Sequence, residues 1–330
     1  MICIINEFLP NIRYNESGDN MKEPKIVFMG TPNFAVPVLE KLIANYNVVL
    51  VVTQPDKRVG RKQILTPTPI KEIALKNNIP VFQPEKIRKD FDLIKEIHPD
   101  LIITCAYGQI IPSEVLNIPS IGCFNVHASL LPKYRGGAPI HKCLINGEKE
   151  TGVTIMYMDV GMDTGDMIEK TIYQIQKDDN VGTLHEKLSV LGADLLLKTL
   201  PSIMGGTNQR TKQNESEATY AYNVKREEER LDFNKSGEEI INQIRGLNPW
   251  PTANCMIKKE EMKILEAYFV EKKETFPGII CEVTKETFGV SCKNGIVYIT
   301  KIKPFGKKII LVKDYLNGLK QDDLLNEKVE

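Results

Sequence analysis

The chain has 330 residues, of which 42% are hydrophobic and 26% charged, proportions that fit a folded protein too long for one comfortable core. Lysine plus arginine number 43 and so do aspartate plus glutamate, so net charge supplies no pull toward a polyanion and any such contact must rest on local patches. No run is apolar and long enough to span a membrane, and the seven cysteines are odd in number, dispersed and free of any Cys-x-x-Cys pair, which argues against a disulfide framework and for reduced thiols in the cytoplasm.

Residues 1–20 end in Asn-Glu-Ser-Gly-Asp-Asn before a second methionine, Met21. They have neither the basic start nor the apolar core of a secretory signal, and read as a disordered extension or a start assigned too far upstream. From Lys25 the elements alternate: strand 25–29, helix 35–44, strand 48–53, helices 70–77 and 84–97, strand 100–105 and strand 121–126. Such alternation predicts an α/β class, with a doubly wound, Rossmann-like sheet in a domain over 21–204. The first turn, Gly30-Thr31-Pro32-Asn33-Phe34, lacks the Gly-x-Gly-x-x-Gly of dinucleotide enzymes, so a nicotinamide dehydrogenase is disfavoured. The connection 54–69 is long and carries Lys57, Arg58, Arg61 and Lys62 around Gly60. It reads either as a solvated loop or as one that contacts RNA phosphates. After strand 100–105 comes Tyr107-Gly108-Gln109-Ile110, either an ordinary connection or a ligand-facing edge.

The stretch 121–166 carries the chemistry. Ile121-Gly122-Cys123-Phe124-Asn125-Val126 reads as a buried strand that ends at Asn125 and His127, and the loop after it holds Leu130-Leu131-Pro132 and Tyr134-Arg135-Gly136-Gly137-Ala138-Pro139. The paired glycines suit close backbone approach to a ligand, ahead of a helix from about Ile140. A strand over 153–158 then leads into Asp159-Val160-Gly161-Met162-Asp163-Thr164-Gly165-Asp166, a turn suited to presenting a carboxylate. An amide donor and an imidazolium stabilise an oxyanion, and a carboxylate orients the imidazole, so convergence of Asn125, His127 and Asp163 would suit acyl transfer. Asp159 and Asp166 read as turn formers. His98, His141 and His185 read as surface or packing residues, with no spacing that suggests a metal.

After a helix over 183–200, residues 205–219 are polar and aperiodic, the best linker candidate. A helix over 236–247 ends in Asn248-Pro249-Trp250-Pro251, where the only tryptophan reads as a packing anchor between domains. Short strands over 262–270, 277–283, 287–292 and 295–302 suggest a smaller β-barrel within a second domain, 220–330. Lys301, Lys303, Lys307, Lys308 and Lys313 fall in one stretch of it, either a guarded sheet edge or an RNA-backbone stripe.

Asn125-x-His127, Ser129-Leu130-Leu131-Pro132 and the Asp163-Thr164-Gly165-Asp166 turn together resemble the formyltransferase family that uses 10-formyltetrahydrofolate, strongly over 25–200 and more loosely over 220–310. Within it the resemblance is nearest to members acting on initiator methionyl-tRNA. It implies Asn125, His127 and Asp163 as the catalytic trio, Ser129, Leu130, Leu131 and Pro132 as the folate loop, and Tyr107, Gly108, Gln109 and Ile110 as an edge that reads the pterin ring. It further implies that the Gly60-Arg61 insertion, with Lys57, Arg58 and Lys62, reaches the acceptor stem. Here Lys62-Gln63-Ile64 departs from the more basic run of some relatives. The second domain would be an OB-like barrel that contacts RNA, through Lys301, Lys303, Lys307 and Lys308. The implied co-substrate is 10-formyltetrahydrofolate with no metal, and the implied partner is initiator methionyl-tRNA, met by a cytoplasmic monomer without membrane contact. Two rival readings stand beside it: a formyltransferase acting on an amino-sugar nucleotide, and a non-catalytic RNA-binding protein.

Overall fold

The computed structural model describes residues 23–60, 62–272, 276–318 and 323–330; Arg61 and the extension expected over 1–20 lie outside the described residues. In chain order the first half contains β1 (Ile26–Gly30), α1 (Val36–Asn45), β2 (Val48–Val52), β3 (Lys57–Val59), β4 (Ile64–Thr66), α2 (Pro69–Lys76), β5 (Val81–Phe82), α3 (Asp92–Ile97), β6 (Leu101–Cys105) and α4 (Ser113–Leu116). It continues with β7 (Gly122–His127), α5 (Pro139–Ile145), β8 (Glu150–Tyr157), β9 (Met167–Gln174) and the long α6 (Val181–Met204). A seven-stranded sheet runs β5-β2-β1-β6-β7-β8-β9, parallel through β7 and antiparallel at its last two strands.

Ile26–Gly30 and Leu101–Cys105 are buried along their whole length, as strands covered on both faces must be. One face packs Phe28, Ile103, Phe124 and Val126 against apolar residues of α1, α5 and α6. The other packs Val27, Met29, Ile102 and Cys123 against Ile87, Ile94 and Val115. The connection from β1 runs to β2 on one side, whereas β6 lies on the other, so strand order reverses at β1/β6. Crevices form at such switch points, beyond the carboxyl ends of the strands.

Three expectations need correction. The helix expected over 84–97 is only Asp92–Ile97. Its would-be first turns are held by the Gln109 carboxamide, which accepts from Ile87 N at 2.8 Å and donates to the Pro84 and Glu85 carbonyls at 3.3 Å. A side chain has taken up groups a helix would use. The connection 54–69 contains a two-stranded hairpin, β3–β4, exposed on both faces and therefore without the alternation that would mark strands. The edge strand β9 also went unanticipated, since most of it faces solvent.

The second half holds α7 (Gly237–Leu247), β10 (Ala253–Ile257), β11 (Glu260–Glu271), β12 (Ile280–Val283), β13 (Phe288–Cys292), β14 (Gly295–Pro304), β15 (Ile310–Leu311) and α8 (Val312–Leu316). Its antiparallel sheet runs β10-β11-β14-β13-β12, with β15 on β14. The last residues touch both edges, Val329 bridging to Ile257 and Lys328 to Ile279. Trp250 lies between the imidazoles of His141 on α5 and His185 on α6, with ring centroids 6.4 and 5.5 Å away. Burial lowers both histidine pKa values. Among the described residues no helix is long and apolar enough to cross a membrane.

The start of α6 depends on Asp179, which is 1% exposed and accepts from Gln176 N at 2.8 Å, Thr183 Oγ1 at 2.9 Å and Lys187 Nζ at 2.7 Å. Burial alone would raise its pKa, but these donors and the Tyr173 hydroxyl outweigh it and hold the carboxyl below the usual range. The native pKa lies below the unfolded value of about 3.9, so the carboxylate stabilises the fold above that pH and the contribution is lost as pH falls through the native pKa. Asp179→Asn should therefore cost about 1–3 kcal/mol at pH 7 in a denaturant titration. The gap between variant and parent should narrow below about pH 4; an unchanged gap there would refute the linkage.

Candidate active site

Asn125 and His127 stand two apart on β7, hence on one face of the sheet. Thr104 is the register partner of Asn125 across the parallel β6–β7 pair, and its Oγ1 lies 2.8 Å from the Asn125 carboxamide oxygen. His127 is 5% exposed. Its Nε2 donates to the Tyr134 carbonyl at 3.1 Å, which turns Nδ1 toward Asp163, whose Oδ2 is 3.6 Å away. That separation is too long for a tight hydrogen bond, so the ring nitrogen and the carboxylate face each other without being locked together. The structure thus brings together the histidine and the carboxylate that the sequence placed 36 positions apart, with Asn125 beside them.

Asp163 is held in left-handed backbone conformation, φ 53°, within the turn between β8 and β9. Its Oδ2 accepts from Gly136 N at 2.8 Å, and its main-chain carbonyl accepts from Gln213 Nε2 at 2.7 Å. The same Gln213 amine donates to Gly165 O at 2.8 Å, so one side chain clamps both sides of the turn. Asp159 Oδ1 accepts from Gly161 N and Thr164 Oγ1, the turn-forming role expected of it, whereas Asp166 pairs with Arg210 at 3.1 Å.

Arg135 and Gln213 are the site residues that sequence reasoning missed. Arg135 is wholly buried, donates to Gln213 Oε1 at 3.0 Å and grips Glu215 through two bonds of 2.9 and 2.7 Å. Glu215 raises the arginine's pKa still further, and Arg135 lowers that of Glu215. Its backbone pairs with Thr219 and Ala221. The glycines beside it do admit a close backbone, but that backbone is the chain's own: a side chain at Gly136 would meet Ala221 O at 2.9 Å, with φ already at +117°, and one at Gly137 would meet Asn223 at 2.4 Å. The polar stretch 205–219 is thereby bound to the site loop through Gln213, Glu215 and Thr219. A basic residue and a polar, aperiodic segment carry no signal of pairing when their contact spans 78 positions.

The remaining expected site residues fall in two groups around this centre. Ser129 and Leu131 are each 1% exposed, Ser129 Oγ donating to Lys133 O and Leu131 packing on Met156 and Met167. Leu130 and Pro132 instead line a cavity of about 360 Å³ with Lys133, Tyr134, Glu148 and Glu217. At the β1/β6 switch point, the Tyr107 carbonyl accepts from Thr31 Oγ1 at 2.8 Å and from Gln54 Nε2 at 3.2 Å. The Tyr107 hydroxyl is buried with no partner among the described residues, and burial raises its pKa. Gly108 takes φ 87°, and Ile110 stands 84% exposed, an aliphatic side chain left open beside the crevice. Lys57, Arg58 and Lys62 lie on the exposed hairpin, and Arg58 donates to Gln63 O at 3.0 Å within it. Lys301 pairs with Glu266 at 2.8 Å; Lys303, Lys307 and Lys308 are exposed along β14 and the turn after it. Lys263, opposite Lys303 on β11, adds a basic residue the sequence did not suggest.

The family described as formyl transferase matches residues 24–200, and the formyl transferase C-terminal domain matches 223–320. The chain belongs to the formyltransferase family. It is 49% identical over 300 residues to a methionyl-tRNA formyltransferase of Staphylococcus epidermidis, covering 90% of this chain and 97% of that one. It is likewise 49% identical over 309 residues to the methionyl-tRNA formyltransferase of Staphylococcus aureus, covering 92% and 99%. Among solved structures, an N-formyltransferase from Helicobacter canadensis in complex with folinic acid and dTDP-3-aminofucose superposes with a TM-score of 0.64 at 25% identity, over 85% of this chain and 100% of that one. The sugar 3N-formyl transferase WlaRD shares the fold, with a TM-score of 0.63 at 24% identity over 87% and 100% of the two chains.

Gln213→Glu keeps the acceptor for Arg135 but sets a carboxylate against the Asp163 and Gly165 carbonyls. It should lower stability by about 1–3 kcal/mol, the cost of leaving such groups unmatched. An unchanged denaturant midpoint would mean that this clamp is not held in solution.

Proposed function

We infer that this chain transfers the formyl group of 10-formyltetrahydrofolate to the α-amino group of methionine on initiator methionyl-tRNA. The observation that supports the chemistry is the approach of His127 Nδ1 to within 3.6 Å of the Asp163 carboxylate, with Asn125 two residues before His127 on the same strand. The near full-length similarity at 49% identity to methionyl-tRNA formyltransferases supports the acceptor. The neutral amine attacks the formyl carbon, forming a new C–N bond and a tetrahedral oxyanion. Asn125 Nδ2 and the Nδ1 proton of His127 donate to that oxyanion, and Asp163 keeps the imidazole oriented as the amine's proton departs. Collapse breaks the bond to N10, which takes up a proton, and tetrahydrofolate leaves.

For the folate we propose Ser129, Leu130, Leu131 and Pro132 with Tyr107, Gly108, Gln109 and Ile110. The first stretch follows His127 directly and the second follows β6, whose Thr104 pairs with Asn125, and the exposed Ile110 supplies an apolar surface for a flat ring. For the RNA we propose the hairpin residues Lys57, Arg58 and Lys62, together with Arg61 by its place in the sequence, and the stripe Lys301, Lys303, Lys307 and Lys308. Bridges from residues 328 and 329 to both edge regions of the second sheet support reading that domain as an OB-like barrel. We read 21–204 as the catalytic domain, 205–219 as the connecting segment and 220–330 as the RNA-binding domain of a cytoplasmic monomer.

The decisive assay offers labelled 10-formyltetrahydrofolate with charged initiator methionyl-tRNA, free methionine, uncharged tRNA and an amino-sugar nucleotide. Label on the charged tRNA alone is expected; label on the sugar would overturn the acceptor. Asn125→Ala and His127→Ala should each lower turnover by about 10²–10³-fold, the usual loss for an oxyanion donor, in protein that still folds. Turnover within a few-fold of the parent in either folded variant would remove that residue from the mechanism. Replacing Lys57, Arg58 and Lys62 together with alanine should raise KM for the tRNA, flatten its dependence on salt and leave KM for the folate unchanged. Equal effects on both substrates would argue for a general disturbance of the site.

A further inference from the structure

The strand Leu101–Cys105 has one hydroxyl among four other fully buried side chains, that of Thr104, itself 3% exposed. A hydroxyl in such a strand needs an acceptor, and three stand within reach: Asn125 Oδ1 at 2.8 Å, Met158 Sδ at 3.1 Å and Phe124 O at 3.2 Å. Sulfur is a weak acceptor and the Phe124 carbonyl is the farthest, so the single proton goes to the Asn125 carboxamide oxygen. That assignment decides which end of the amide faces the substrate. With Oδ1 occupied by Thr104, Nδ2 has no protein acceptor among the described residues. Its two N–H groups are left for whatever enters the site.

We propose that Thr104 is a positioning residue for the transfer: its hydroxyl holds the Asn125 carboxamide in the one orientation that offers N–H, and not a carbonyl oxygen, to the developing oxyanion. This rests on the reading of Asn125 as an oxyanion donor. A carboxamide is nearly symmetric in shape, so packing alone does not distinguish its two ends, and a flipped amide would set Oδ1 against the negative charge it should stabilise. Register supplies the remaining precision. Thr104 and Asn125 are direct partners in a parallel ladder, so their side chains leave the sheet together on one face. The hydroxyl is therefore carried on a rigid element, fixed before substrate arrives.

The test compares Thr104→Val, Thr104→Ser, Asn125→Ala and the double variant T104V/N125A in the same formyl-transfer assay. Valine keeps the shape and β-branching of threonine and removes only the hydroxyl. T104V should lower kcat by about 10-fold, less than the 10²–10³-fold open to loss of the donor itself. KM for both substrates should stay within about twofold, a split that general loosening of the strand would not produce. T104S should restore most of the rate, and T104V/N125A should be no slower than N125A, because Thr104 acts only through that amide. A slow N125A beside a T104V at parental kcat would overturn the proposal and leave the mechanism standing. A parental N125A would remove both. Losses that multiply in the double variant would show that Thr104 acts independently of Asn125, which also overturns it. Thr104→Cys takes the place of T104V should valine prevent folding, with the same expected pattern.

Discussion

The buried guanidinium of Arg135 is the constraint on which the site's geometry depends. A charge with no exposed surface has to be matched on every side, because the cost of leaving it unpaired exceeds what packing around it returns. Its partners, Gln213 and Glu215, come from the segment that follows α6, and its own backbone pairs with Thr219 and Ala221. Satisfying one arginine therefore draws that segment across the site loop. Gly136 N is then set against Asp163 Oδ2, and Gln213 against the carbonyls on either side of the turn. The Asp163 turn is positioned from two directions, neither of them local in sequence.

The sheet supplies the other half of the arrangement. Parallel strands β1, β6 and β7 lie side by side, and strand order reverses at β1/β6, the kind of place where open α/β sheets form their ligand crevices. The loops at that switch point are tied together: the Tyr107 carbonyl receives both Thr31 and Gln54, and Gln109 closes onto residues 84–87. An acyl transfer that relies on fixed donors benefits from such a scaffold, since dipoles already aimed at the oxyanion need no reorganisation when charge develops. The elements proposed to face RNA are built differently. The β3–β4 hairpin has no strand beyond its own pair, and its aliphatic and basic side chains both face solvent, with Val59 55% and Ile64 61% exposed.

Legibility followed how local each signal was. The buried strands announced themselves because a strand covered on both faces is an apolar run, and Asn125-x-His127 stood out as polar residues closing such a run. The hairpin over Lys57–Thr66 was hidden because neither face is buried, and α3 is short because a glutamine 22 residues away from Ile87 takes up its backbone groups. Strands β9 and β10 were missed for related reasons, one lying at a solvated edge and the other following directly on the proline-rich Asn248–Pro251 turn. Arg135 read as a loop cation beside permissive glycines, and only its burial exposes it as a structural centre.

By itself the sequence determined the chemistry's vocabulary: an amide, an imidazole and a carboxylate at strand ends and a turn, an alternating α/β half, and a second half of short strands with a basic stripe. These follow from composition and periodicity over a few residues, which local backbone preferences and burial translate directly into elements. The tertiary structure alone decided that Asp163 faces Nδ1 and not Nε2 of His127, that Thr104 holds the oxygen end of Asn125, and that Gln213 belongs to the site. Each of these is a hydrogen bond between groups distant in the chain. Its existence depends on strand register and on the requirement that buried polar groups find partners, conditions that no short stretch of sequence contains.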